Sequence, residues 1–306
     1  MPSEFDLIHR HFAQYGAGRN VALSVGDDCA LLTLDSGERL ATSVDTLVEG
    51  VHFLPDTFPE DLGFRSVSVA TSDLAAMGAR PIGMTIALTL PEADDFWLHA
   101  FSQGIGQAVS AYQLPLVGGD TTRGPLTITV QVLGAVPADQ ALLRSGAQVG
   151  DQIYVSGPLG DAAAGLALLN GEWQTSPEAT EYLVERYTRP RARLELGQTL
   201  LGRATAAIDI SDGLLQDAGH IAAASGVALH IDHLRLPLSA ALNTHSDPRT
   251  AIGWALGGGD DYELCFTLPT GDTPPAGCTC IGDVQAGEGV HTELGEDIVT
   301  GFQHFR

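Results

Sequence analysis

Aspartate stands beside glycine, serine or threonine in six short segments of this 306-residue chain. The segments are Gly26-Asp27-Asp28, Ser43-Val44-Asp45-Thr46, Ser72-Asp73, Gly118-Gly119-Asp120-Thr121-Thr122, Asp209-Ile210-Ser211-Asp212-Gly213 and Gly259-Asp260-Asp261. Mg²⁺ binds through a few carboxylates, keeps several waters and bridges to substrate phosphates. One such segment is typical of a turn, whereas six together indicate a set of oxygen ligands for hard cations.

The chain contains no lysine, because all 15 of its Lys and Arg residues are arginines. A Walker phosphate loop and the protein kinase fold both require a phosphate-binding lysine, so both classes are excluded. Schiff-base chemistry on a side chain is excluded for the same reason, and no G-x-S-x-G nucleophile segment is present. Two possibilities remain open from the residues alone: metal-assisted phosphoryl transfer, or metal binding without chemistry.

The formal net charge is −23, from 38 acidic residues against 15 arginines. Such a field disfavours nonspecific binding of nucleic acids, which depends on neutralising phosphates. It also repels free ATP, so cations must invert the potential locally at any phosphate site. We therefore expect small-molecule substrates and no nucleic-acid partner.

The four cysteines and the hydropathy pattern bear on the compartment. The cysteines are Cys29, Cys265, Cys278 and Cys280. They form no C-x-x-C pair, and Cys278-x-Cys280 lacks the usual zinc spacing. No targeting segment is evident, and the best apolar run, 82–90, is shorter than the ~18 residues of a membrane span. The sequence predicts a cytoplasmic protein with reduced thiols and no membrane partner.

Hydrophobic periodicity predicts alternating strands and helices in the first half. Predicted strands cover 21–25, 39–44, 82–90 and 126–136, and predicted helices cover 60–78 and 94–112. The strand 39–44 is expected to end at Asp45. Asp73 falls inside a predicted helix, where a buried carboxylate is costly without a partner, and this favours a metal-binding role.

The second half repeats the mixture of strands and helices. Predicted strands cover 152–155, 206–210, 227–232 and 262–268; predicted helices begin at Asp161, cover about 179–201 and run from Gly213 to Ser225; the tail is irregular. Two α/β domains joined near 138–148 follow, with boundaries 1–138 and 139–306.

Several aspartate segments fall where a predicted strand ends, and two lead directly into predicted helices. Strand ends are common ligand positions in α/β folds, and helix N-termini favour anions. A cluster drawn from both halves would lie in a cleft between domains. Ser211 or Asp212 could equally cap a helix, and 257–263 could be a hairpin turn.

Seven strings, in order along about 3–305, together resemble thiamine-monophosphate kinase. They are GDDCALL (26–32), SVDTLVEGVHF (43–53), SDLAAMGARP (72–81), VGGDTTRG (117–124), LLRSGAQVGD (142–151), IDISDGL (208–214) and GGGDDYEL (257–264). Two of these strings occur in looser form in the wider superfamily of aminoimidazole ribonucleotide synthetases. The resemblance implies the two-domain α/β (α+β) fold of that superfamily, with an N-terminal domain (1–138) that dimerises and binds ATP and Mg²⁺, and a C-terminal domain (139–306).

The same resemblance implies that the γ-phosphate of ATP is transferred onto thiamine monophosphate, giving thiamine diphosphate. Several Mg²⁺ ions would be held by Asp28, Ser43, Asp45, Asp73, Asp120, Asp209 and Asp212, with Val44 contributing only its backbone. ATP would be contacted by Gly119, Arg144 and Ser211, besides Asp120. The thiamine moiety would lie near His52, Asp260 and Phe302. Catalysis would depend most on Asp45, Asp120 and Asp212. The chain departs from the pattern at Asp260, where many members have Glu.

Two alternatives remain open at this point. A superfamily synthetase with another acceptor is the first, although a selenophosphate synthetase would need an N-terminal reactive Cys with a nearby Lys, and a hydrogenase-maturation relative a C-terminal Cys. A Mg²⁺-nucleotide-binding regulator without turnover is the second.

Overall fold

The computed structural model describes residues 4–26, 28–245 and 247–293. Its contacts divide the chain into two compact units: unit 1 comprises Met1–Leu74 and Ala79–Asp139, and unit 2 comprises Ala75–Gly78 and Gln140–Arg306. Of the predicted site residues, Phe302 lies outside the described residues. Among the helices that the structure describes, none combines the length and apolar character needed to cross a bilayer.

Unit 1 is built on a four-stranded sheet and a two-stranded sheet. Its described elements are α1 (Glu4–His11), a short 3-10 helix (Ala13–Tyr15), β1 (Val21–Leu23), β2 (Leu31–Leu32), β3 (Glu38–Val48), α2 (Pro59–Ala76, whose last two residues cluster with unit 2), β4 (Arg80–Leu90), α3 (Asp95–Tyr112), β5 (Leu116–Arg123) and β6 (Thr127–Pro137). The larger sheet has the order β3-β6-β4-β5, in which β4 and β5 are parallel and the other neighbours antiparallel.

The larger sheet of unit 1 buries one face because its strands alternate. In β4, Met84, Ile86 and Leu88 are buried, whereas Ala87 between them is exposed. The helices α2 and α3 pack against each other, and Ser68 Oγ of α2 lies 2.6 Å from Tyr112 Oη of α3. The alternating apolar pattern of the sequence therefore gives a sheet with one buried face and one exposed face.

Unit 2 is built on a six-stranded sheet. Its described elements are β7 (Gln152–Val155), α4 (Asp161–Leu169), α5 (Pro177–Thr188), α6 (Leu194–Leu200), β8 (Ala206–Asp209), α7 (Leu214–Ser225), β9 (Ala228–Ile231), 3-10 helices at His233–Arg235 and Leu242–Thr244, α8 (Pro248–Gly257), β10 (Leu264–Leu268), β11 (Thr279–Gln285) and β12 (Gly289–Thr292). The order is β12-β9-β11-β7-β10-β8, antiparallel except for the pair β9 and β12. Every residue of β10 is buried, so this strand lies inside the core of unit 2.

Most predicted elements are confirmed, and three predictions were wrong. The strand predicted to end at Asp45 continues to Val48, because its alternating pattern extends through β3. The helix predicted over 179–201 is two helices, α5 and α6; Pro190 lies between them, lacks an N–H and disfavours helical backbone at the preceding residue. The tail predicted to be irregular contains β11 and β12.

Candidate active site

Ser43, Asp45 and Asp73 come together at the buried face of the unit 1 sheet. Alternate residues of a strand point to the same face, so β3 presents Ser43 and Asp45 on one side, and both are half-buried. Asp73 belongs to α2, as predicted, and its Oδ2 accepts a hydrogen bond of 2.5 Å from Ser43 Oγ. One strand and one helix thus bring three of the predicted oxygen ligands into one cluster.

The electrostatics of this cluster favour a bound cation. Burial, together with the charge of the neighbouring Asp73, raises the pKa of Asp45 to about 6. Both effects oppose the ionised carboxylate, and a divalent cation would reverse them. The cluster therefore has the charge and the hard oxygen donors that suit Mg²⁺.

Protein ligands alone do not complete a metal site in the part of the chain that the structure describes. There, no group of three or more His, Cys, Asp or Glu side chains is gathered closely enough to hold a metal ion. Mg²⁺ is usually bound by one or two carboxylates together with waters and substrate phosphates. The Asp45–Asp73 pair with Ser43 fits that incomplete kind of site.

Gly119 and Asp120 lie within β5, a strand that the sequence did not predict. A Cβ atom at Gly119 would lie 2.1 Å from the carbonyl oxygen of Ile86, so the pairing of β4 with β5 at this point requires glycine. A cavity of about 490 Å³ borders the same stretch of β5. Its lining includes Ile8, Phe12, Asp28, Gly118, Gly119, Asp120 and Thr121. The structure thus brings Asp28, Gly119 and Asp120 to one cavity of a size usual for small ligands.

His52 follows β3 in the turn that returns toward α2. The backbone N–H of Val48 donates a 2.9 Å hydrogen bond to Nδ1 of His52. Because Nδ1 accepts, the neutral ring carries its proton on Nε2. His52 therefore presents Nε2–H as a donor, and its orientation is fixed by the backbone of the strand that carries Asp45.

In unit 2, Asp209, Ser211 and Asp212 occupy the connection from β8 to α7. Asp209 is 5% exposed at the end of its strand, whereas Ser211 and Asp212 are half-buried. This connection is shaped by Asp217, which was not among the predicted site residues. Asp217 Oδ2 accepts the backbone N–H groups of Ser211, Asp212 and Gly213 at 3.0, 3.0 and 3.1 Å.

Asp217 could have been recognised from its position. An acidic residue in the first turn of a helix stabilises that end, and Asp217 lies in the first turn of α7. Burial raises the pKa of Asp217 to about 7, against the lowering effect of its backbone hydrogen bonds. Its role is to fix the backbone that carries Ser211 and Asp212.

The segment Gly257–Glu263 joins the same connection through its backbone. The N–H of Asp260 donates to the carbonyl of Ser211, and the N–H of Tyr262 donates to the carbonyl of Ile210, both at 2.8 Å. Gly259 has φ +70° and a Cβ there would lie 2.7 Å from the Ser211 carbonyl oxygen. Two segments that are about 50 residues apart in sequence are thus joined by backbone hydrogen bonds.

A buried charge network, also not selected from the sequence, lies behind this segment. Glu263 is fully buried and accepts from Arg186 Nη2 at 2.9 Å and from Arg193 Nε at 2.7 Å. Asp261, 2% exposed, accepts the N–H of Gly160 through both carboxylate oxygens, at 3.0 and 2.9 Å. These contacts fix the segment from its inner side.

Arg144, predicted to contact ATP, is exposed in the segment before β7. Its backbone carbonyl accepts a 3.2 Å hydrogen bond from Ser225 Oγ, which ties this segment to the end of α7. The predicted site residues are thus divided between the two units: those up to Asp120 lie in unit 1, and those from Arg144 to Asp260 lie in unit 2.

Comparison with protein families gives two consecutive matches along the chain. Residues 26–136 match the N-terminal domain of AIR synthase related proteins, and residues 148–259 match the C-terminal domain of the same proteins. The predicted two-domain fold class is confirmed by these matches and by the solved structures described next.

Individual relatives are similar over most of the chain. A thiamine-monophosphate kinase from Salmonella typhimurium is 52% identical over 268 residues, covering 87% of this chain and 82% of that protein. The crystal structure of a thiamine-monophosphate kinase from Stenotrophomonas maltophilia K279a superposes with a TM-score of 0.88 at 44% identity, covering 95% of this chain and 96% of that one. A structure of AaThiL complexed with AMPPCP and TMP gives a TM-score of 0.83 at 36% identity, covering 89% of both chains.

Proposed function

The chain belongs to the thiamine-monophosphate kinase family, and we propose that it phosphorylates thiamine monophosphate to thiamine diphosphate by direct in-line transfer of the ATP γ-phosphate. The observation that carries the proposal is the half-buried pair of carboxylates Asp45 and Asp73 beside Ser43, in the unit whose strand β5 carries the paired glycines Gly118 and Gly119. Its relative in complex with AMPPCP and TMP supports ATP and thiamine monophosphate as the two substrates.

Charge is the central physical difficulty of this reaction, because donor and acceptor are both phosphates. Two unit charges about 4 Å apart repel by about 4 kcal/mol at an effective dielectric of about 20. When bound, Mg²⁺ supplies positive charge that cancels this repulsion. We propose the following residues to hold it, Val44 through its carbonyl: Asp28, Ser43, Val44, Asp45, Asp73, Asp120, Asp209 and Asp212.

The chain's own residues would bind and orient the substrates. Gly119, which must lack a side chain, allows the backbone to approach a phosphate, and Arg144 and Ser211 would contact ATP. The acceptor phosphate is ionised at neutral pH, since its second pKa is about 6, so no general base is required. Asp45, Asp120 and Asp212 would contribute most to catalysis through positioning.

The thiamine moiety would be recognised by His52 and Asp260, with Phe302 as a third contact. Nε2–H of His52 offers a hydrogen-bond donor whose direction is fixed by the Val48 N–H. Asp260 offers a carboxylate suited to a cationic, amine-bearing ring. These two assignments predict effects on the use of thiamine monophosphate rather than of ATP.

We also propose a cytoplasmic homodimer, with domain boundaries at 1–138 and 139–306. The outer face of β3 exposes Leu40 by 51% and Val44 by 60%, and Thr46 Oγ1 there lies 2.9 Å from Thr129 Oγ1. An open sheet face with exposed apolar side chains suits a second copy. The four free cysteines suit a reducing compartment. Sedimentation of a monomer at micromolar concentration would contradict the dimer.

The function is tested by incubating purified protein with ATP, Mg²⁺ and thiamine monophosphate and separating the products chromatographically. We expect equal amounts of thiamine diphosphate and ADP, no product with EDTA, and no product when free thiamine replaces the monophosphate. ATP binding without thiamine diphosphate would favour a non-catalytic binder or a synthetase with another acceptor.

A further inference from the structure

The backbone of residues 260–263 alternates between two partly exposed and two buried side chains. Asp260 and Tyr262 are partly exposed, whereas Asp261 and Glu263 are 2% and 0% exposed. The two partly exposed residues have φ values of +59° and +50°. Neither is glycine, so each adopts a left-handed conformation that non-glycine residues disfavour.

Contacts from the inner side hold this unfavourable backbone in place. Asp261 is bonded through both oxygens to the N–H of Gly160, and Glu263 is bonded to Arg186 and Arg193. Strained conformations persist only where the surroundings over-determine them, and they cluster at functional sites. The fixed backbone therefore points to a function for the two residues that face outward.

The two outward-facing side chains are in direct contact with each other. Tyr262 Oη donates a 3.0 Å hydrogen bond to Oδ1 of Asp260. A hydrogen bond from a hydroxyl to a carboxylate fixes the torsion of the carboxylate.

We propose that Tyr262 is a positioning residue that orients the Asp260 carboxylate toward the amine-bearing, cationic ring system of the substrate. This inference rests on the proposed function, because it assigns Asp260 to the thiamine side of the reaction. Tyr262 acts through Asp260, so its loss weakens recognition of thiamine monophosphate and leaves the use of ATP unchanged.

The test is the steady-state kinetics of Tyr262→Phe, which keeps the ring and removes only the hydroxyl. We expect KM for thiamine monophosphate to rise about five- to tenfold, the factor that one hydrogen bond of about 1 kcal/mol or slightly more provides. KM for ATP and kcat at saturation should stay at wild-type values. Tyr154→Phe is the matched control, because Tyr154 Oη donates a similar 2.8 Å bond, to Gln152, in the same unit.

A double-mutant cycle separates positioning from a structural role. In an Asp260→Gly background, Tyr262→Phe should add little, because glycine tolerates the positive φ and lacks the acceptor through which Tyr262 acts. Fully additive effects, or unchanged KM for thiamine monophosphate in Tyr262→Phe, would overturn the proposal. Equal rises in KM for both substrates with a lower melting temperature would also overturn it, in favour of a structural role.

Two further outcomes have defined consequences: a variant that does not fold, and a wild-type protein that forms no product. If Tyr262→Phe does not fold, Tyr262→Asn replaces it, since Asn tolerates left-handed backbone better than other residues but does not supply the phenolic hydroxyl; a wild-type KM in that variant overturns the inference. Absence of thiamine diphosphate with the wild-type protein contradicts the proposed function itself, whereas normal wild-type turnover with an unaffected Tyr262→Phe contradicts only the role of Tyr262.

Discussion

Two clusters of carboxylates in this protein have opposite surroundings. In unit 1, Asp45 and Asp73 lie half-buried beside Ser43, and burial, together with the charge of Asp73, raises the pKa of Asp45 to about 6. In unit 2, Glu263 is fully buried yet is bonded to two arginines, Arg186 and Arg193. A carboxylate is thus compensated by two arginines in unit 2, whereas the charged neighbour in unit 1 is a second carboxylate.

This difference indicates which acids serve structure and which serve function. A buried carboxylate must be paired, protonated or bound to a metal. Glu263 meets the first condition inside the fold, so its loss should affect stability. Asp45 has a neighbouring carboxylate that disfavours its charge, so its loss should affect activity while the fold persists.

The largest expected effect follows from removing one carboxylate of the unit 1 pair. Asp45→Ala should lower kcat at least about a thousandfold, equivalent to about 4 kcal/mol of lost charge compensation in the transition state. The melting temperature should not fall, because the variant loses a carboxylate whose charge is disfavoured. Asp56→Ala, which removes an exposed acid from the same unit, should keep wild-type turnover. Near-wild-type activity of Asp45→Ala would contradict the metal-binding role.

The second prediction concerns the buried cluster of unit 2, in which Glu263 is paired with two arginines. Arg186→Met leaves Glu263 with one arginine fewer and should lower the free energy of unfolding by about 3–5 kcal/mol, as expected when one partner of a buried ion pair is removed. Urea denaturation measures this change. Arg19→Met is the matched control, because the Arg19–Asp35 pair is exposed on both sides and should add little stability. Equal stability of the two variants would remove the contrast between the clusters.

The two clusters also differ in how far the sequence predicted them. Asp73 was recognisable because a carboxylate in a buried helix needs a partner, and Gly119–Asp120 because paired glycines permit close approach to the backbone. Both signals are local. The sequence also predicted β4 and α3 closely, since long periodic segments carry their own pattern.

The buried network could not be predicted in the same way, because its contacts join distant parts of the chain. Asp261 bonds to Gly160, 101 residues away, and Glu263 bonds to Arg193, 70 residues away. In the sequence, Asp261 and Asp260 are equivalent neighbours within a glycine-rich segment. Only the fold shows that one faces the interior and the other does not.

The third prediction tests the contact proposed between His52, which follows β3 in unit 1, and the substrate. His52→Ala should raise KM for thiamine monophosphate about tenfold, the expected loss for one well-oriented hydrogen bond to an anionic or polar substrate group. KM for ATP should change much less. His99→Ala is a suitable control, since His99 is an exposed histidine on α3 of the same unit. Wild-type kinetics in His52→Ala would show that Nε2–H does not contact the substrate.

The pH dependence of stability distinguishes two aspartates that both accept N–H groups at helix N-termini. Burial raises the pKa of Asp261 well above its ordinary value, whereas hydrogen bonds from Thr250 and Arg249 lower the pKa of the exposed Asp247. The folded state therefore binds the Asp261 proton more tightly than the unfolded state does. The stability from that proton is complete at pH values below about 4 and is lost as the pH rises through the folded pKa.

Asp261→Asn removes this titration. Between pH 5 and pH 8, the free energy of unfolding of the variant should rise relative to wild type, by up to about 1.4 kcal/mol per pH unit until the folded pKa is passed. Urea denaturation at pH 5, 6, 7 and 8 measures the difference. In Asp247→Asn the difference should stay constant over this range, because a lowered pKa lies below it. Parallel pH curves for Asp261→Asn and wild type would mean that Asp261 is ionised in the folded protein, and that the network around Arg186 compensates three carboxylates, including Asp161 and Glu263, rather than two.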